Sequence, residues 1–70
     1  MKYPNLKAEI ARSGVSIDEL ATIIGVHPNT IRNWLSDRAT PTVDSAFAAS
    51  DYFDVDVRYL FATEAITPSA

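Results

Sequence analysis

An all-α fold of five short helices is what this sequence predicts, and three observations predict it. Apolar residues recur three and four positions apart, residues that start and stop helices punctuate the chain at short intervals, and nothing reads as a repeat, a linker or a low-complexity segment. Seventy residues suffice for one domain, with a core near the lower size limit for independent folding. With no cysteine, that core gains nothing from disulfides or a thiolate metal site, so packing alone must hold the fold.

The first helix is expected over Pro4–Ser13. Pro4 suits a first helical position, Leu6 and Ile10 fall four apart, and Gly14 is a natural stop. The second starts at Ser16, which forms a capping box with Glu19: hydroxyl and carboxylate each satisfy an amide that the helix start leaves free. It should end near Ile24, because Gly25 can take the left-handed conformation that closes a helix. The third follows after a very short connection, with His27 as cap, Pro28 at the first position and a body reaching about Ser36. Thr42 caps the fourth, in which Val43, Ala46, Phe47, Ser50 and Phe53 are expected to form one buried stripe. Asp56 caps a final turn through Phe61, and residues 1 to 62 form the domain. The tail from Thr63 to Ala70 has little apolar content and is expected to be poorly ordered.

Two helices joined by so short a turn must cross steeply, and only a small side chain fits where their backbones approach. Ala21 sits at that point, Gly25 lies in the turn, and Leu20, Ile24, Val26, Ile31 and Trp34 supply apolar positions facing the core. With Ile31, Trp34 and Leu35 turned inward, Pro28, Asn29, Arg32, Asn33 and Ser36 form an outward stripe. That stripe is what a DNA major groove would meet.

The net charge of −3 argues against indiscriminate nucleic-acid binding. The charge is divided, however. Residues 1 to 40 carry five Lys and Arg against four Asp and Glu, whereas residues 41 to 70 carry only Arg58 against Asp44, Asp51, Asp54, Asp56 and Glu64. The second half therefore reads as a solvated, solubilising back face. One histidine, no cysteine and scattered carboxylates offer no catalytic or metal-binding constellation, so neither an enzyme nor a cofactor is expected. No run of eighteen apolar residues and no signal-like segment is present, which predicts a cytoplasmic protein without a membrane span.

The segment SIDELATIIGVHPNTIRNWL resembles the helix-turn-helix of Cro- and repressor-type phage regulators, the lambda-repressor-like DNA-binding domains. MKYPNLKAEIARSG resembles their first helix and TPTVDSAFAASDYFDVDVRYLF their fourth and fifth, so the likeness covers about residues 1 to 61. It implies a compact five-helix domain, phage or prophage encoded, whose third helix enters the major groove of an operator, often as a dimer on a pseudo-palindrome. Three departures from the family pattern involve four positions. Ile17 stands where a phosphate-contacting Gln is common, Ile10 and Leu35 replace an Arg–Glu pair, and Pro28 replaces a base-reading Gln.

The base-readout set is accordingly expected to be Pro28, Asn29, Arg32 and Asn33, with direct readout falling mainly to the last three: an Asn can offer a donor and an acceptor to adenine, and an Arg can pair with guanine. Ser16, Ile17, His27, Thr30, Ser36, Arg38, Thr40 and Thr42 are the expected neighbours of the DNA backbone, where contacts position the protein rather than read sequence. Each also has a plainer role, as the solvated face of an amphipathic helix or as a cap. Trp34 and Phe47 are expected in the core rather than as stacking platforms, and His27 at a helix start rather than on a metal. Val57, Tyr59 and Phe61 are more apolar residues than a five-residue terminal helix needs, which points to a weak homodimer through that end. The competing reading is a helix-turn-helix module that binds a partner regulator protein without touching DNA.

Overall fold

Helix α1 (Pro4–Ser13) opens on Pro4 and closes at Gly14, whose φ of 74° is left-handed, as the sequence leads one to expect. The computed structural model describes residues 3 to 63; of the expected tail only Thr63, which is exposed, falls among them, and the rest lies outside the described residues. Helix α2 (Ile17–Ile24) carries the full capping box: Glu19 N–H donates to Ser16 Oγ at 3.0 Å and Ser16 N–H to Glu19 Oε1 at 3.2 Å. Helix α3 (Pro28–Leu35) follows after three residues, and helix α4 (Val43–Phe53) starts where the Thr42 hydroxyl accepts from Ser45 N–H at 3.2 Å. Helix α5 (Val57–Leu60) is one turn, capped by Asp56, which accepts from Arg58 N–H at 2.7 Å. The Arg58 side chain and then its backbone N–H, both bonded to this carboxylate, hold Asp56 below its ordinary value. No strand occurs among the described residues.

Helices α3 and α4 both pack on α2, and α5 bridges α1 and α4. The core they enclose is Leu6, Leu20, Ala21, Ile31, Trp34, Ala49 and Leu60 with the ring of Tyr3. Ala21 is fully buried at the α2 side of the turn, as its small side chain requires, and Ile24 and Val26 are half-buried against the same cluster. Phe61 stands edge-on to both Tyr3 (centroids 5.3 Å apart) and Trp34 (6.0 Å), so the chain's last turn closes over the core.

The expected stripe on α4 is corrected by the structure. Val43 is 70% exposed and Phe47 52%, while the inward positions are Ala46, Ala49, Ser50 and Phe53. Small side chains explain the rotation, because Ala49 and Ser50 let α4 lie close to its neighbours where Val43 and Phe47 would hold it off. Ser50 tolerates burial because its hydroxyl donates to the Ala46 carbonyl at 2.8 Å. Phe47 is therefore not a core residue.

A polar latch joins α1 to α5. Glu9, 6% exposed, accepts from the Tyr59 hydroxyl at 2.7 Å and pairs with Arg12 at 3.2 Å, and Asn5 Nδ2 donates to the Tyr59 carbonyl at 2.9 Å. Burial, and then the bond to Glu9, raise the Tyr59 hydroxyl above its ordinary value of 10.0. A folded value above the unfolded one means that this stabilisation is fully present below pH 10.0 and is lost as pH rises through the folded value. Tyr59→Phe should lower stability at neutral pH by about 1 to 3 kcal/mol, the range for removing a hydrogen bond to a buried acceptor, with Arg12 still paired to Glu9. The gap between variant and native protein should narrow in alkali, which urea unfolding followed from pH 7 to about pH 11 would show.

Candidate nucleic-acid interface

The presentation of α3 begins at Gly25, whose φ of 79° turns the chain out of α2. A Cβ there would meet nothing within 4 Å, so the backbone conformation alone demands glycine. The Ala21 carbonyl accepts from both Gly25 N–H and Val26 N–H at 2.9 Å, which fixes the turn to the end of α2. His27 then caps α3, its Nδ1 accepting from Asn29 N–H at 3.1 Å, and Pro28 occupies the first turn, where no N–H is needed. Ile31 and Trp34 plunge into the core, 0% and 1% exposed.

What remains outside is polar. Asn29, Arg32 and Ser36 are exposed, and Pro28, Thr30 and Asn33 half-buried. Arg32 is tethered: it donates to Asn29 Oδ1 at 3.1 Å and lies 3.6 Å from Asp18 at the start of α2. Both members of that ion pair are largely exposed, so the pairing is worth at most about 1 kcal/mol and yields readily to a stronger acceptor. Like the His27 cap on α3, two more residues expected at the DNA backbone serve the fold: the Ser16 hydroxyl caps α2, and the Thr42 hydroxyl donates to Ser45 Oγ at 3.0 Å while capping α4. The loop after α3 turns at Asp37, φ 66°, and the Asn33 carbonyl accepts from the N–H groups of Arg38 at 2.8 Å and Ala39 at 3.2 Å. Arg38 is thereby anchored by its backbone with its side chain exposed, and Thr40 is exposed beyond it.

Lys7 is a neighbour that sequence reasoning missed. With Ile17, Arg32, Leu35 and Ser36 it lines a shallow groove of about 260 Å³ between α1, α2 and α3. The sequence suggested a lost polar contact at Ile17; the structure places an exposed cation beside it, a relation that depends on how α1 docks and leaves no mark in local spacing. Val57, Tyr59 and Phe61 lie on the terminal turn, and Tyr59 and Phe61 are engaged in the latch and the aromatic cluster described above. Among the described residues no group of three or more His, Asp or Glu is placed to hold a metal, and no helix is long and apolar enough to cross a membrane.

A family model described as helix-turn-helix matches residues 6 to 60, the span from within α1 to the end of α5. The chain belongs to the lambda-repressor-like helix-turn-helix family. No curated protein and no solved structure gives a significant match. Membership of this helix-turn-helix family makes DNA binding and transcription regulation the general function, and α2 and α3 its two signature helices.

Because His27 caps α3 through its imidazole, His27→Ala should lower stability by about 0.5 to 2 kcal/mol. His27→Asn, with a better capping side chain, should restore it; thermal or urea unfolding of both variants checks this.

Proposed function

We propose that this protein is a sequence-specific regulator that inserts α3 into the major groove of an operator. The observation that carries the reading is the division of α3: Ile31 and Trp34 are locked in the core while Asn29, Arg32 and Asn33 line the other side, on a helix whose start is fixed by the Gly25 turn. Asn29 and Asn33 suit the N6 and N7 edge of adenine, and Arg32 exchanges Asp18 for guanine O6 and N7 or for a phosphate. Pro28 contributes shape alone. Ser16, Ile17 and the amides opening α2 lie on one backbone with Lys7, His27, Thr30 and Ser36 beside them, and Arg38, Thr40 and Thr42 lie on the other.

Few cations take part, so one copy binds weakly and a weak homodimer spans two half-sites about 34 Å apart. With Tyr59 and Phe61 turned to the core, Val57 is the member of that end left to meet a second copy. Light scattering on concentrated protein, with and without operator DNA, distinguishes this dimer from a strict monomer.

Fluorescence anisotropy with DNA from upstream of the gene, against scrambled DNA, tests the reading. The native protein should prefer its own DNA, and an Asn33→Ala, Arg32→Ala double variant should lose that preference, each base-specific pair being worth about 1 to 3 kcal/mol. With Lys7, Arg32 and Arg38 on phosphates, log affinity per protomer should fall with log salt at a slope near −3, and Arg38→Ala should reduce it by about 1. Equal binding to both DNAs, or none to either, overturns the proposal.

A further inference from the structure

The exposed face of α4 is unused by the interface above. Val43 and Phe47, one helical turn apart, are 70% and 52% exposed, a pair of large apolar side chains on neighbouring positions. Asp44, three residues before Phe47, and Asp51, four after it, lie on the same face and are exposed. Helix α4 contains no Lys or Arg, Arg58 beyond its end is already bound to Asp56 at 3.2 Å, and among the described residues no ion pair reaches Asp44 or Asp51. An apolar pair flanked by uncompensated carboxylates faces solvent.

DNA does not suit such a face, because Asp44 and Asp51 would oppose phosphates. A second copy joined symmetrically through it would set the same carboxylates against one another. The charge complement is a polypeptide with the opposite pattern. We propose that the Val43, Phe47 face of α4 docks a cationic amphipathic helix of a partner protein, whose apolar side chains cover Val43 and Phe47 and whose Lys or Arg residues meet Asp44 and Asp51. This is a helix-on-helix contact with apolar anchors at the centre and a charged rim, and it leaves the outer face of α3 free for DNA. It stands independently of the operator reading, since none of its residues belongs to the DNA-facing set.

The test is a titration of isotope-labelled full chain with a synthetic leucine-and-lysine peptide of helical amphipathic period, followed by NMR, with a scrambled peptide of the same composition alongside. Shift changes should centre on Val43, Asp44, Phe47 and Asp51, and the scrambled peptide should bind at least about tenfold more weakly. Phe47→Ala should weaken binding about tenfold while keeping the fold, since Phe47 is 52% exposed and outside the buried core, and an Asp44→Asn, Asp51→Asn variant should weaken it and flatten its salt dependence. Equal binding of the scrambled peptide, shifts centred elsewhere, or no binding overturns the proposal. So do concentration-dependent shifts at Val43 and Phe47 without peptide, which would make a second copy the occupant.

Discussion

The left-handed backbone at Gly25 is the constraint on which the rest depends. It swings the chain out of α2 while the Ala21 carbonyl holds two N–H groups of the turn, so α3 leaves at one angle rather than many. Any other residue would be strained there by roughly 1 to 2 kcal/mol, even with space for its side chain. That angle delivers Ile31 and Trp34 to the core. Once they are seated, the orientation of every outward residue on α3 follows from helical geometry alone.

A chain of net negative charge reaches a polyanion only by keeping its charges apart. The fold does this with separate helices: Lys7 on α1 and Arg32 on α3 share one groove, while Asp44 and Asp51 occupy the outer face of α4. Asp18 breaks that separation, lying beside Arg32, and in the proposed interface its attraction is exchanged when Arg32 contacts DNA. In that proposed interface affinity rests on shape and hydrogen bonding more than on bulk attraction. Such a balance favours discrimination between sequences over indiscriminate adhesion.

What was legible in the sequence is what local chemistry decides. The capping box at Ser16 and Glu19, the stop at Gly25 and the proline starts of α1 and α3 all act within a few residues, and all five helices appear where these signals put them. Trp34 was legible as core for the same reason. The face of α4 was not, because several stripes of that helix are apolar and the choice among them depends on how closely it approaches its neighbours. Alanine and serine won over valine and phenylalanine, against hydrophobicity and in favour of fit. Lys7 beside Ile17 and Tyr59 on Glu9 were equally hidden, since each pairing joins helices whose docking no local spacing encodes.

The tether on Arg32 bears on how the proposed recognition would proceed. A free arginine on a helix surface samples many rotamers, and ordering it on DNA costs up to about 2 kcal/mol of conformational entropy. Held by Asn29 at one nitrogen and near Asp18 at another, Arg32 has already given up part of that freedom before DNA arrives. On the proposed reading, engagement becomes a change of partners by a side chain already held at the helix surface. In the proposed interface α3 presents an edge that is partly ordered by weak, exchangeable contacts, so less freedom is lost when it meets the bases.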